Sequence, residues 1–455
     1  MKGKGMRSGL LEENFVEFND LKLSPEKILG IAIDSRLVNP GDLFFALPGN
    51  RVDGHSFIKE AKDKGAVGVV LLKGKESLSE GLSFLAVEDV ADNLRKLAKI
   101  VLQKKAIPII GITGSLGKTT VKYFLKDLLS NEFNIFWSPK NYNTRLSLPM
   151  SIIMAEEEQD FLLLEMGSSE PGDLDQLLAF APPTIAVLTG IAPQHAKFFA
   201  NGIQGIAEEK ARIFSSSLLT TALFPLDSPY TDLFHQKTQH VASVFTFANH
   251  DVQASFSFSL IKEDFVIIKH PQGETKIKIH FSYKPAYRNL LIAFSTAFIA
   301  GVPVEKLLFC IENNELKMPP MRFESVKRQG IVFINDAYNA LPESMKAALE
   351  AMPSALNGKK IAVLAQMNEI GVYSEEGHKE AFISACQHVD YLICIGPFWE
   401  CCKDVVPNAK KNKISFVFST EEGAVYLQKL AQSGDIILLK GSRTFELEKL
   451  INLYE

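Results

Sequence analysis

A glycine-rich turn between an apolar run and an amphipathic helix constrains this chain more than any other stretch. Residues 107–130 read IPIIGITGSLGKTTVKYFLKDLLS. Ile107–Ile110 has the character of a short buried strand. Gly111 to Gly117 form the turn, and Lys118, Thr119 and Thr120 follow. Val121, Phe124, Leu125 and Leu128 then recur at i, i+3, i+4 and i+7, which gives one apolar helix face. Strand, glycine loop, Lys-Thr and helix together make a phosphate cradle. Backbone N–H groups and a helix N-terminus face the anion, the lysine reaches the terminal phosphates, and the threonine hydroxyl is placed for Mg²⁺. The strict G-x-x-x-x-G-K-[ST] spacing would need glycine where Ile112 stands, so the loop reads T-G-S-x-G-K-T: Thr113, Gly114, Ser115, Leu116, Gly117, Lys118, Thr119. The motif says nucleotide phosphate and names no reaction. A glycine turn that merely precedes a lysine is the bland alternative.

A chain of 455 residues is too long for one compact core and suggests about three domains. The expected class is α/β, divided into a small α/β domain over 1–104, a central mostly parallel sheet domain with the phosphate loop over 105–316, and a Rossmann-like α/β domain over 317–455. Met318-Pro319-Pro320 reads as the second linker. Strands are expected at Ile31–Ile33, Leu43–Leu47, Ala66–Leu72, Phe161–Leu164 and Thr184–Leu188. In the third part they are expected at Ile331–Ile334, Ile361–Leu364, Tyr391–Ile395, Ile414–Phe418 and Asp435–Leu439. Alternating runs such as Ala254–Leu260 and Thr275–Phe281 point to an antiparallel edge or an inserted hairpin. Asn289–Val304, a long uncharged stretch, reads as one buried helix, too short for a membrane span. A net charge of −4 without a basic block disfavours nucleic acid as a partner. Five scattered cysteines without a C-x-x-C pair fit a reducing cytosol rather than a disulfide framework or zinc site. The first residues are basic but lack the apolar run of a signal peptide.

Polar residues at strand ends are the candidates for chemistry, because open parallel sheets place ligands at the carboxyl ends of their strands. Glu165 follows an apolar strand, where a carboxylate can face Mg²⁺ opposite Thr119; it also reads as an exposed strand-end glutamate. His195 alone is uninformative, and Lys210 after Glu208-Glu209 also reads as a solvated helix face. Asn141, Asn143 and Thr144 lie in a loop whose amides suit a carboxylate or phosphate, or simply a turn. Asn335–Ala340 and Lys440–Arg443 each follow a strand, and two such loops in one domain favour a binding face.

Taken together, the motifs resemble the Mur ligase family. The first domain carries DSRLVNPGDLFFALPG, Asp34–Gly49, then Asp53-Gly54-His55. The central domain carries TGSLGKT, then NYNT, Glu165-Met166-Gly167, His195 and Lys210-Ala-Arg-Ile-Phe. The third carries NDAYNALPESMKAAL, Asn335–Leu349, MNEIGVYSEEGH, Met367–His378, and KGSR. The resemblance implies an ATP-dependent amide ligase of peptidoglycan precursor synthesis. The D-A-Y-N-A-x-P-x-S-M run is most like the branch that joins D-alanyl-D-alanine to a UDP-N-acetylmuramoyl-tripeptide through an acyl phosphate. A diamino acid ligase and an inactive nucleotide-binding relative are the alternatives. The resemblance further implies that Lys118 contacts the transferred phosphate, that Thr119 and Glu165 form a first Mg²⁺ site, and that His195 and a carbamylated Lys210 serve a second. Thr113–Thr120, Asn289, Arg322 and Asp336 would hold ATP. Ser35, Arg36, Asp53, Gly54, His55, Asn141, Asn143, Thr144, Tyr338 and Asn339 would hold the other substrates. A cytoplasmic monomer is implied. The chain departs from the family pattern at Pro285-Ala286, where His-Asn is usual, at Met321, where glycine is usual, at Ala365-Gln366, where Gly-Asp is common, and at Thr144-Arg145, where Asn-Asp/Glu is typical.

Overall fold

The computed structural model describes residues 28–49, 52–139, 142–155, 158–194, 196–249, 253–262, 265–279, 283–313, 315–355 and 358–454. It contains three sheets. The first is four-stranded and parallel, in the order β1 (Gly30–Ala32), β2 (Asp42–Phe45), β3 (Gly68–Leu72), β4 (Ser83–Val87). The second has nine strands: β5 (Ile109–Thr113), β6 (Ile135–Trp137), β7 (Phe161–Glu165), β8 (Ile185–Leu188), β9 (Thr221–Pro225), β10 (Ser243–Asn249), β11 (Phe256–Lys262), β12 (Phe265–His270) and β13 (Gly273–Lys278). Their order is β13-β12-β11-β10-β9-β8-β5-β7-β6, parallel from β6 to β11 and antiparallel across β11, β12 and β13. The alternating runs therefore form the expected antiparallel edge.

The third sheet comprises β14 (Glu324–Arg328), β15 (Ile331–Asp336), β16 (Lys360–Ala365), β17 (Tyr391–Ile395), β18 (Ile414–Val417) and β19 (Ile436–Lys440). Its order is β14-β15-β19-β16-β17-β18, with only β14 antiparallel. The expected strands are present with ends shifted by a residue or two. Strands β4, β6, β9, β10, β12 and β14 were not named from the sequence. β6 is only three residues long, and Glu324–Arg328 reads E-S-V-K-R with Val326 its one apolar residue, so neither stands out as an apolar strand.

β5 is buried along its whole length because helices cover both faces of the central sheet. The helix Lys118–Leu129 lays Val121, Phe124, Leu125 and Leu128 on one face of β5, in a core shared with the helix Lys284–Ile299. That second helix is apolar on nearly every side, which suits its place between a helix and the sheet. The single helix expected over Asn289–Val304 is corrected here. It starts earlier, at Lys284, and stops at Ile299; Gly301 turns the chain at φ +98°, and a separate helix, Val304–Glu312, follows. None of the helices among the described residues is long and apolar enough to cross a membrane.

The helix Val90–Lys105 packs on the helix Ser147–Ile153 and joins the first sheet's core to that of the central sheet. Ala192, from the segment after β8, is buried in the core of the third sheet. Tyr283 stacks on Phe323 with ring centroids 4.4 Å apart and planes inclined by 10°. The phosphate-loop helix is thereby fixed from below, and the third sheet is fixed against its rim. Leu125 is fully buried in this packing, so Leu125→Ala is expected to lower stability by about 3 kcal/mol. Chemical denaturation followed through the central unit checks this, and a loss under about 1 kcal/mol would contradict the packing described.

Candidate active site

The loop after β5 needs glycine at two places. Gly114 takes φ +137°, and a Cβ there would lie 2.1 Å from Thr189 Oγ1. Gly117 takes φ +82°, and a Cβ there would lie 2.3 Å from the Asn289 side-chain oxygen. Asn289 is thus pressed against the loop. The segment after β8 straps the loop from the other side. Ser115 donates from N to Gly190 O (2.9 Å) and from Oγ to Ala192 O (3.0 Å), and Thr189 Oγ1 donates to Leu116 O (2.5 Å). Thr113 Oγ1 donates to Met166 O at 2.8 Å. No side chain caps the start of the helix Lys118–Leu129, so its first N–H groups face the loop's hollow. Lys118 folds back beneath the loop and donates to Gly114 O (2.6 Å) and Ser115 O (3.4 Å). Burial of the ammonium pushes its pKa down, and Glu165 opposes the shift.

Glu165, at the end of β7, is 2% exposed, which removes the reading of it as an exposed strand end. Its Oε2 accepts from Thr119 Oγ1 at 3.0 Å and lies 3.3 Å from Lys122 Nζ; its Oε1 accepts from Asn143 Nδ2 at 2.9 Å. Burial by itself would raise the carboxyl's pKa. Lys122 and Lys118 more than offset that and hold it below the usual carboxylate range. Thr119 and Glu165 present two adjacent hard oxygens, a donor set that suits Mg²⁺. Thr144 sits beside this group, where its Oγ1 accepts from Ser147 N at 3.3 Å.

Lys210 is also 2% exposed, not on a solvated face. Its Nζ donates to Ser168 O and Ser168 Oγ, both at 2.7 Å. Burial first, and then repulsion from Lys118, push its pKa down to about 7. The neighbouring Glu209 accepts from Gly172 N (2.8 Å) and Leu174 N (2.9 Å), so its charge is spent on the start of a helix.

The third sheet supplies the opposite wall. Arg322 lies over the Tyr338 ring, 4.0 Å from its centroid, and its buried Nε has no hydrogen-bond partner among the described residues. Met321, where glycine is usual in the family, keeps a left-handed backbone at φ +57°. Asp336 pins this turn: its Oδ1 accepts from Phe323 N (3.2 Å), and its Oδ2 pairs with buried Lys440 Nζ (2.7 Å). Asn339 Nδ2 donates to Glu369 Oε2 at 2.7 Å, and Gln194 Nε2, from the central unit, donates to the same oxygen at 3.2 Å. The two walls enclose a cavity of about 370 Å³ that Ser115 to Thr120, Asn143, Thr144, Glu165, Arg322, Tyr338, Asn339 and Glu369 all line.

Two groups of expected residues stand apart. Asn141 and His195 lie outside the described residues. Ser35, Arg36, Asp53, Gly54 and His55 lie on the first sheet's unit, and none lines the cavity. There Ser35 Oγ donates to Glu60 Oε2 (2.8 Å), and Arg36 pairs with Asp34 (2.7 Å). Buried His55 accepts from Leu72 N at Nε2 (3.0 Å) and faces Asp53 Oδ1 through Nδ1 (2.6 Å). Lys75 and His55 hold the Asp53 carboxyl far below the usual range. The sequence reading missed Lys122, Ser168, Gln194 and Glu369. Lys122 carried a signal: it is a lysine four residues after Lys118, beside the apolar face of the helix.

Family models match three stretches of the chain: "Mur ligase family, catalytic domain" over residues 27–100, "Mur ligase middle domain" over 112–297, and "Mur ligase, glutamate ligase domain" over 321–443. The UDP-N-acetylmuramoyl-tripeptide–D-alanyl-D-alanine ligase of Bacillus subtilis is 30% identical over 93% of this chain and 92% of its own length. Among solved structures, MurF ligase from Thermotoga maritima in complex with ADP aligns with a TM-score of 0.77 at 28% identity, covering 93% of this chain and 96% of that one. MurF from Acinetobacter baumannii shares the fold at a TM-score of 0.81, 24% identity and coverage of 94% and 93%.

The ion pair under the loop makes a testable demand. Lys122→Met leaves Glu165 buried without its nearest cation and is expected to cost about 3 kcal/mol. The double variant Lys122→Met/Glu165→Gln is expected to regain part of that loss in urea denaturation. A single variant no less stable than the double would contradict the pairing.

Proposed function

The chain belongs to the Mur ligase family, and from that premise we propose that it joins D-alanyl-D-alanine to a UDP-N-acetylmuramoyl-tripeptide with hydrolysis of ATP to ADP and phosphate. The relatives that carry this activity in their names match nearly the whole chain. The observation that carries the reading is the shared cavity, in which a phosphate loop and a buried carboxylate face an arginine with an open donor.

ATP phosphates rest on the N–H groups of the loop, with Lys118 beneath them and Arg322 opposite. The tripeptide's terminal carboxylate oxygen attacks the γ-phosphorus, a P–O bond forms, the bond to ADP breaks, and an acyl phosphate results. The dipeptide's amine then attacks the carbonyl carbon. The tetrahedral adduct loses phosphate, and the amide and a proton are released. Lys118 and Arg322 offset the charge that builds on the transferred group. Mg²⁺ held by Thr119 and Glu165 would supply further neutralisation of phosphate charge.

The pKa of Lys210 near 7 leaves a neutral amine at physiological pH. That amine adds to CO₂, forming an N–C bond and releasing a proton. The carbamate would convert a cation into an oxygen donor, which together with His195 would hold a second cation. Asn143, Thr144, Tyr338 and Asn339 are assigned to the peptide substrates, Asn289 and Asp336 to the nucleotide side, and Ser35, Arg36 and Asp53 to His55 to the UDP end. We assign the reaction to the cytoplasm and the chain to a monomer.

Purified protein is expected to release phosphate only when ATP, UDP-tripeptide and D-alanyl-D-alanine are all present. Release that instead requires a diamino acid and UDP-dipeptide would transfer the chain to another branch, and none with any pair would leave a nucleotide-binding protein. A second expectation concerns pH. The ammonium form of Lys210 cannot add CO₂, so at limiting bicarbonate activity falls as pH drops through about 7, and excess bicarbonate relieves the fall. Lys210→Ala loses activity and regains part of it with short carboxylic acids; an unaffected variant would refute the assignment.

A further inference from the structure

We propose that Arg145 binds a carboxylate of the UDP-tripeptide other than the terminal one that is phosphorylated, and so selects donors that carry a second free carboxylate. The assignment rests on the ligase reading above and names the donor class for it. Arg145 lies in the loop between β6 and the helix Ser147–Ile153 and lines the cavity, where it is exposed. Among the described residues its one hydrogen bond runs from Nη1 to the neutral Gln176 Oε1 at 3.3 Å, and it enters no ion pair. The acids around it do not use its charge. Glu165 is held by Thr119, Asn143 and Lys122. Asp173 Oδ2 accepts from Ser169 N and Glu170 N, and Asp175 pairs with Arg212 at 2.6 Å. Glu170 and Glu369 also line the cavity, and neither forms an ion pair with Arg145. A guanidinium without a counter-charge, at the edge of a cavity, has the planar fork that receives a carboxylate.

The place of Arg145 in the fold decides which anion it meets. The ATP phosphates have the phosphate loop, Lys118 and Arg322. The reacting carboxylate is a poor partner, because a guanidinium paired to it would blunt the nucleophile. The UDP end is assigned to residues of the first sheet's unit, none of which lines the cavity. A donor that reaches from that unit to the phosphate loop crosses the seam where the helix Val90–Lys105 packs on the helix Ser147–Ile153. Arg145 stands two residues before that second helix and next to Thr144, already assigned to the peptide. A carboxylate within the donor peptide is therefore the anion in its reach. An acid is typical at this position in the family, so the positive charge on this rim is the chain's own.

Arg145→Gln, assayed with two forms of the donor, tests the assignment. With UDP-tripeptide the variant is expected to show a KM for that substrate raised roughly tenfold, with kcat and the KM values for ATP and D-alanyl-D-alanine unchanged, and partial recovery in Arg145→Lys. With UDP-tripeptide whose non-terminal carboxylates are amidated, wild-type protein is expected to show the same rise, and the variant no further one. An unchanged UDP-tripeptide KM in the variant would overturn the proposal. So would a rise in the dipeptide KM instead, which would move Arg145 to the acceptor. A variant that loses as much with the amidated donor as with the free one would also overturn it, because Arg145 would then be serving the protein's own acids, such as Glu170. Wild-type protein that forms no amide with either donor would overturn the ligase reading itself, whereas an active wild type with an indifferent variant overturns this assignment alone.

Discussion

A buried carboxylate held between two lysines and a hydroxyl sets the terms for the rest of this structure. Taking the Glu165 charge out of water costs several kcal/mol unless nearby groups offset it. Lys122 at 3.3 Å, Asn143 at 2.9 Å and Thr119 at 3.0 Å do so. Those three side chains come from the phosphate-loop helix and from the loop after β6, so the carboxylate can be buried only if β5, β7 and that helix are in register. The pairing of Ile112 with Glu165 across β5 and β7 provides that register. The result is a site whose charges are in place before any substrate arrives.

The third sheet is tied to this centre by a short polar path. Ser115 holds Gly190 and Ala192; Gln194, just beyond them, meets Glu369; Glu369 meets Asn339; and Lys440 joins the Asn339 carbonyl to Asp336, which pins the turn carrying Arg322. Apolar contacts at Ala192 and the Tyr283–Phe323 stack run beside it. The path is thin at one point, where Gln194 meets Glu369 across the cavity. A joint made of few contacts suits two units that must admit nucleotide and peptide and then close on them.

The phosphate loop was legible because its chemistry is local: glycines, lysine and threonine stand in one run, and the helix face follows at once. The sheet classes were legible for a similar reason, since buried parallel strands are short apolar runs. Burial was not legible. Glu165 and Lys210 each also read as solvated residues, and only the packing of β7 and of the helix Gly202–Ala211 shows them at 2% exposure. Lys122 was overlooked because the partner that gives it meaning is 43 positions away in sequence. Gln194 and Glu369 were invisible for the same reason, joined by a hydrogen bond that spans 175 positions. The Met321 departure became intelligible only with the backbone angle, which retains the left-handed turn that glycine would favour.

The central claim is that the cavity activates a carboxylate by phosphorylating it. If so, one oxygen of the tripeptide's terminal carboxylate leaves with the phosphate. Turnover of UDP-tripeptide labelled with ¹⁸O in that carboxylate, with phosphate analysed by mass spectrometry, reads this directly. The account predicts one labelled oxygen in each phosphate released. Unlabelled phosphate formed together with amide product would contradict it.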